Sequence, residues 1–320
     1  MTQLRKNSLI VVVGPTASGK TALAAELAKV LDGEVVSADS MQIYEGMDIA
    51  TAKPDQEEMQ GIPHHLIGFL PPESRFSVAE YAPMARKTID DILSRGKVPI
   101  LAGGTGLYVQ AVVDHILYDQ DAAADPALRE KLEALSAAEG NQAVWDMLNE
   151  IDPETAVRLH PNNLGRVIRA IEVLSTSGYS IRHQEASSRR EPCPYQCCQI
   201  GLRYADRAVL YDRIDRRVDR MMEAGLLQEA EAFWKMGLTN TAAQAIGYKE
   251  LFEYFEGRQT LAETIERLKT GTRHYAKRQL TWFGRDERIH WIQPDALPAN
   301  KTVLQCALEW INLSQGVCIG

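Results

Sequence analysis

The octapeptide Gly14-Pro15-Thr16-Ala17-Ser18-Gly19-Lys20-Thr21 constrains this chain more than any other stretch. It follows Leu9-Ile10-Val11-Val12-Val13, an apolar run of strand length, and precedes Leu23, Leu27, Val30 and Leu31, which recur at helical spacing. G-x-x-x-x-G-K-T between a strand and a helix is the setting of a phosphate-binding loop. Successive backbone N–H groups and the positive end of the helix make an anion nest, Lys20 adds a point charge, and the Thr21 hydroxyl is a ligand for Mg²⁺. Gly14 and Gly19 let the backbone wrap phosphate without a Cβ in the way. A polyphosphate is therefore expected here.

At 320 residues, roughly two domains are expected. With 45% hydrophobic and 24% charged residues, the composition is that of a globular protein with material for a core. Apolar stretches fall short of a membrane span, and Met1–Asn7 has no long apolar run behind Arg5-Lys6, so a secretory signal is not expected. Cytoplasmic residence is the expectation. The five cysteines (193, 197, 198, 306, 318) argue against a disulfide framework, and Cys193-x-x-x-Cys197-Cys198 lacks a second ligand pair at zinc spacing. The net charge of −8 excludes indiscriminate polyanion binding, so an RNA partner needs a local basic surface.

Downstream, Glu34 to Ala38 reads as a short buried strand with Asp39 at its carboxyl end, the rim where ligands of α/β sheets sit. A capping role for Asp39 is the alternative. Residues 46–80 read as loop. His64-His65 suggest a ligand or base, but adjacent side chains diverge and packing is favoured. Phe76 to Leu93 reads as a helix capped near Ser77. Val98–Ala102 is an apolar strand entering Gly103-Gly104-Thr105-Gly106, where glycines permit close approach to a ligand and Thr105 offers a hydroxyl. This strand ends in glycine rather than the acidic Mg²⁺ ligand of a mechanical NTPase, which favours a transferase or small-molecule kinase.

Helices are expected over 126–139, 142–150, 154–159 and 163–176, then a polar loop over 183–194. Arg166 and Arg169 share a helix face, with a salt bridge to Glu172 as the alternative to a ligand. Tyr195 to Leu202 looks strand-like and would return the chain to the sheet. The helix over 206–223 carries Arg207, Arg213, Arg216, Arg217 and Arg220 among interleaved aspartates, so an arginine aimed at phosphate would be hidden among solvated pairs. Gln244–Glu250 opens another helix. From 267 to 288, seven Lys/Arg stand against two acids, with His274, Tyr275, Trp282 and Phe283 interleaved, a combination suited to phosphates and unstacked bases. A solvated helix with an aromatic core stripe is the alternative.

The fold class expected is α/β: a P-loop NTPase-like parallel sheet flanked by helices, with an inserted helical domain and a helical C-terminal part. The boundaries expected are 1–113 and 205–320 for the core and 114–204 for the insertion.

Six motifs in one order, GPTASGKT (14–21), DSMQIY (39–44), GIPHHLI (61–67), GGTGLYV (103–109), AIGYKE (245–250) and KRQLTWF (277–283), closely resemble those of the tRNA dimethylallyltransferases, the tRNA isopentenyltransferases. The resemblance runs from about residue 8 to about residue 292. Gly284 stands where that family commonly has arginine, and Arg285 follows it. The resemblance implies transfer of a dimethylallyl group from dimethylallyl diphosphate to the exocyclic amine of the adenosine 3′ of a tRNA anticodon, by a monomer whose inserted domain clasps the anticodon stem-loop. It implies that Gly14, Pro15, Thr16, Ala17, Ser18, Gly19, Lys20 and Thr21 hold the diphosphate, with Mg²⁺ on Thr21. It makes Asp39 the general base, places Thr105 near the bridging oxygen and makes Arg217 a diphosphate clamp. It assigns tRNA contact to Asp39, Ser40, Met41, Gln42, Thr105, Asn162, Asn163, Leu164, Gly165 and Arg166. It extends that contact to Ala243, Gln244, Ala245, Ile246, Gly247, Tyr248, Lys277, Arg278, Gln279, Leu280, Thr281, Trp282 and Phe283. Rival readings are an adenylate dimethylallyltransferase, which would not need the basic 277–283 segment, a P-loop kinase, and a non-catalytic RNA chaperone, which leaves Asp39 and Thr105 unexplained.

Overall fold

The structure, a computed structural model, describes residues 7–116, 125–181, 192–238 and 241–315. The chain forms two compact units, one of Met1–Val113 with Pro194–Gly320 and one of Asp114–Cys193.

In the first unit, β1 (Ser8–Val13) is buried on both faces, as its uninterrupted apolar run requires. It runs through the phosphate loop into α1 (Lys20–Leu31) and on to β2 (Gly33–Ser37). Leu23 and Leu27 of α1 enter the core, but Val30 is 55% exposed, because α1 turns that edge to solvent. The two-residue strand β3 (His64–His65) pairs with Val35 and Val36. Next come α2 (Val78–Ser94), β4 (Val98–Gly103) and α3 (Gly106–Val113). Ser77 and Glu80 form a capping box at the start of α2.

The adjacent histidines are accounted for by packing. His65 Nε2 meets the Glu34 carboxylate at 2.7 Å, and His64 Nδ1–H donates to Ile62 O at 2.9 Å. Glu34 is almost fully buried; Arg95 grips it with two bonds (2.5 and 2.8 Å) and, with His65 and Lys97, holds its carboxyl far below the usual range.

The second unit contains α4 (Pro126–Glu139), α5 (Asn141–Ile151), α6 (Pro153–Ala156) and α7 (Leu164–Ser177). α6 is shorter than the expected 154–159, since Arg158 N–H and Leu159 N–H bond three residues back and the chain tightens into turns before Pro161. Leu132, Val144, Leu148, Val167 and Ile171 form its own core. Inside it Glu172, with no exposure, accepts two bonds from Arg129 (2.9 and 2.7 Å), and Arg169 lies 3.7 Å away. Arg169 is thus structural, whereas Arg166 is exposed. Of the polar stretch expected over 183–194, residues 183–191 lie outside the described residues.

The chain re-enters the sheet with β5 (Gln196–Leu202), followed by α8 (Arg207–Glu223), α9 (Leu226–Lys235), α10 (Tyr248–Phe255), α11 (Leu261–Phe283), β6 (Ile289–Ile292) and α12 (Val303–Gln315). β5 pairs along all of β1, so the second unit ends at Cys193 and not at Tyr204. The segment 244–250 does not start a helix at Gln244. Ala242–Gln244 is a 3₁₀ turn, and Gly247, at φ 109°, breaks the backbone before α10 begins at Tyr248.

All pairings are parallel, in the order β3-β2-β4-β1-β5-β6. The carboxyl ends of β1, β2 and β4 therefore meet at one rim, where the phosphate loop, Asp39 and the Gly103–Gly106 corner leave the sheet. No described helix is long and apolar enough to cross a membrane.

Candidate active site

The loop 14–19 takes backbone shapes that its residue types explain. Gly14 has φ 154°, and a Cβ there would lie 2.7 Å from Leu202 O and 2.9 Å from Ser18 Oγ. Gly19, at φ 92°, caps α1. Ala17 also holds a left-handed backbone, at φ 62°. It is pinned from outside: Arg213 Nε–H donates to Ala17 O at 3.0 Å, and the Ala17 methyl packs with Leu210, Ile214 and Ala276. Ser18 Oγ is buried with no hydrogen-bond partner.

The next corners interlock. Asp39 Oδ1 accepts Met41 N–H at 2.9 Å, a turn that fixes the carboxylate at the rim. Ala38 N–H donates to Ala102 O (2.8 Å) and Thr105 N–H to Ala38 O (3.1 Å), so the Asp39 and Thr105 corners are stitched by backbone. Ser40 N–H donates to Thr105 Oγ1 at 2.9 Å. Gln42 reaches from its own corner to Thr51 O and Ala52 O (3.3 and 3.0 Å).

That 48–52 loop has an anchor the sequence did not disclose. Glu229 accepts the N–H groups of Asp48, Ile49 and Ala50 (3.0, 2.8 and 2.9 Å) and the Tyr248 hydroxyl (2.8 Å). Its backbone partners are about 180 residues away, so no local pattern reveals it.

Of the arginines on α8, the structure separates the roles. Arg216 pairs with Asp212, and Arg213 holds the loop. Arg217 lines a cavity of about 270 Å³ together with Thr16, Lys20, Thr21, Asp39 and Gln42. The far wall is α11, through Leu268, Thr272, Tyr275, Arg278 and Gln279, with Gln244 to Gly247 at the edge. These α11 residues recur at helical spacing, a stripe that the sequence displays.

The basic surface is smaller than composition suggested, because Arg273 is tied to Asp215, Lys269 to Asp219 and Arg288 to Asp286. Lys277, Arg278, Thr281 and Trp282 remain exposed, and Arg278 stacks over Tyr275 at 5.6 Å. In the second unit, Asn162, Asn163, Gly165 and Arg166 are exposed and Leu164 is half-buried. Some residues that the resemblance assigns to RNA contact are buried in this structure: Tyr248, with no exposure, stacks on Phe233 and bonds Glu229, and Phe283 is buried at 3%. Ala243 is also buried, and Leu280 packs on the cluster around Ala17.

Burial and the neighbouring Arg217 push the Lys20 ammonium down to about 8, while Asp39 pulls the other way. Burial likewise lowers Arg217. An unfolded lysine titrates near 10.5, so the unfolded chain binds more protons between about pH 8 and 10.5, and this group makes stability rise with pH across that window. An anion in the cradle favours the charged form, so its binding takes up protons near and above pH 8. Calorimetry with inorganic pyrophosphate is expected to show affinity falling as pH rises through about 8. Lys20→Ala removes that part of the dependence. Parallel pH profiles for the two proteins would take Lys20 out of the cradle.

A glycine-rich P-loop at the carboxyl rim of a parallel sheet, with a carboxylate and an arginine on the same cavity, is the layout of a P-loop-type α/β enzyme. Strand β4 ends in glycine where a mechanical NTPase carries an acid, which places the site with transferases. Comparison with known proteins narrows this class. The family described as IPP transferase matches residues 42–286, and that described as isopentenyl transferase matches residues 7–68. A tRNA dimethylallyltransferase of Acetivibrio thermocellus is 46% identical over 301 residues, covering 93% of this chain and 96% of that one. That of Bacillus cytotoxicus is 48% identical, covering 94% of each. The crystal structure of a tRNA isopentenylpyrophosphate transferase from Bacillus halodurans superposes with TM-score 0.71 at 44% identity, covering 97% of this chain and 96% of that one. A eukaryotic dimethylallyltransferase acting on tRNA superposes with TM-score 0.76 at 29% identity, covering 90% and 74%. The chain belongs to the IPP transferase family, the tRNA dimethylallyltransferases.

Proposed function

We propose that this protein transfers the dimethylallyl group of dimethylallyl diphosphate to N6 of the adenosine 3′-adjacent to the anticodon in tRNA and releases diphosphate. The observation that carries this reading is the shared cavity, on whose wall Lys20 and Thr21 stand with Asp39 and Arg217.

The amine of adenine is a weak nucleophile because its lone pair is delocalised into the ring. Attack on the allylic carbon therefore depends on stabilising the charge that builds on the departing diphosphate. In this reading the backbone N–H groups of the loop, Lys20 and Arg217 meet that charge, and the Thr105 hydroxyl, held by Ser40 N–H at the adjoining corner, acts near the bridging oxygen. The C–O bond to diphosphate breaks, the C–N bond forms, and Asp39 takes the proton that N6 sheds. The acceptor base has to leave its stack to enter the cavity, at a cost of a few kcal/mol. Arg278 over Tyr275 offers such a base a cationic, aromatic edge. The exposed Lys277 and Arg278 and the exposed 162–166 segment are the RNA contacts in this reading.

A divalent cation fits the donor set. No group of three or more His, Cys, Asp or Glu that could hold a metal occurs among the described residues, so the ion would rest on the Thr21 hydroxyl, diphosphate oxygens and water, a mixture that suits Mg²⁺. Bound there, Mg²⁺ supplies further neutralisation of the leaving group.

The test mixes the protein with dimethylallyl diphosphate, Mg²⁺ and either unmodified anticodon stem-loop or AMP, and reads both acceptors by mass spectrometry. A five-carbon gain on the stem-loop alone is expected. A gain on AMP alone would make the protein a nucleotide prenyltransferase, and ATP turnover without transfer would make it a kinase.

A further inference from the structure

Gln279 lies on α11 one turn before its end and is 5% exposed. Both ends of its side-chain amide are engaged by backbone. Thr16 N–H, in the phosphate loop, donates to Oε1 at 2.9 Å, and Nε2–H donates to Gly104 O at 2.9 Å. The two backbones so joined leave the sheet from different strands, β1 and β4. Few side chains can accept from one and donate to the other at once: an ionised carboxylate has no donor, lysine no acceptor, leucine neither.

The corner is shaped for this helix. A Cβ on Gly104 would lie 2.2 Å from Gln279 Nε2, and one on Gly106 would lie 2.2 Å from Trp282 Cδ1. Both glycines thus let α11 sit directly on the backbone of the corner. The residues preceding Gln279, Lys277 and Arg278, are exposed, whereas Gln279 is buried.

We infer that Gln279 is a positioning residue that sets the spacing between the phosphate cradle and the Thr105 corner, and is not an RNA contact. The bond from Thr16 withdraws one loop N–H from phosphate binding and fixes the tilt of that peptide, so the remaining groups of the nest are aimed from a rigid start. Losing the link lets two catalytic corners drift apart, and misplacement by about 1 Å can lower turnover on the order of 10²-fold.

The activity readouts rest on the proposed function, so one measurement is independent of it. Gln279→Leu and Gln279→Glu are compared with the parent by stem-loop affinity, by kcat and KM for dimethylallyl diphosphate at saturating stem-loop, and by hydrogen exchange at the Thr16 amide. For Gln279→Leu, stem-loop Kd is expected to stay within about twofold, kcat to fall about 10- to 100-fold, and Thr16 to exchange at least about tenfold faster. Gln279→Glu keeps the acceptor for Thr16 but, when ionised, presents a carboxylate to Gly104 O. Protonated glutamic acid regains the donor, so its kcat relative to the parent is expected to recover between about pH 8 and pH 6. Loss of stem-loop affinity with kcat retained at saturation would overturn the inference and make Gln279 an RNA contact. So would unchanged Thr16 exchange in Gln279→Leu. Should the parent transfer no five-carbon unit, the proposed function fails, and the exchange measurement still decides the link.

Discussion

Asp39→Asn is expected to fold, to bind anticodon stem-loop like the parent, and to lose at least about 10²-fold in single-turnover prenyl transfer, the usual scale for removing a general base. The substitution is clean because of the local geometry. Asp39 Oδ1 accepts Met41 N–H, and an asparagine oxygen can accept the same bond, so the turn that orients residues 39–42 survives. What is lost is the negative charge and the ability to take a proton. The charge has a second consequence. Asp39 raises the proton affinity of Lys20 and of Arg217, opposing the effect of their burial. Without it, Lys20 titrates lower still, and donor affinity in the variant should fall away at lower pH than in the parent. Single-turnover mass spectrometry at saturating donor and stem-loop separates the two effects, since saturation removes the binding term. A variant with the parent's single-turnover rate would show that some other group accepts the N6 proton.

What the sequence disclosed follows the range of the interactions. The phosphate loop is legible because its eight residues carry the nest, the lysine and the hydroxyl within one turn of chain. Asp39 and Thr105 are legible as rim residues because strand ends announce themselves by a change from apolar to polar or glycine. Arg217 is not separable from Arg213 and Arg216 by residue type. The Arg216–Asp212 pair is local, four residues apart on one helix, but the grip of Arg213 on Ala17 O and the place of Arg217 on the cavity are tertiary facts. Glu229 and Gln279 are invisible for the same reason, as their backbone partners lie between 175 and 263 residues away. The segment 195–202 reads as a strand returning to the sheet, and its pairing along β1 moves the end of the inserted unit from Tyr204 back to Cys193. The basic count near α11 overstated the free charge, because Lys269, Arg273 and Arg288, three of the seven cations, are paired with α8 acids and with Asp286.

The spacing of the corners also predicts the effect of one methyl group at Gly103. This residue ends β4, and a Cβ there would lie 2.2 Å from Ala38 O, 2.4 Å from Ala38 C and 2.8 Å from Ala38 Cα. All three are backbone atoms, so no rotamer change relieves the clash. The carboxyl end of β2 has to move, and with it go the bonds from Ala38 N–H to Ala102 O and from Thr105 N–H to Ala38 O. Asp39 and Thr105 flank these bonds. Gly103→Ala is therefore expected to lower stability by about 1–3 kcal/mol or more, the scale of overpacking, and to lower turnover on the order of 10²-fold. Gly104→Ala is the informative contrast. Its Cβ would meet chiefly the end of the Gln279 side chain, at 2.2 Å, which can swing aside. That variant should keep close to the parent's Tm yet lose turnover, because the amide that swings away is the one joining Thr16 to Gly104. Calorimetric Tm and single-turnover rates for both variants test the pair. Parent-like values for Gly103→Ala would mean that the β2 and β4 ends are not held in contact, and the backbone stitching that holds the Asp39 and Thr105 corners together would lose its support.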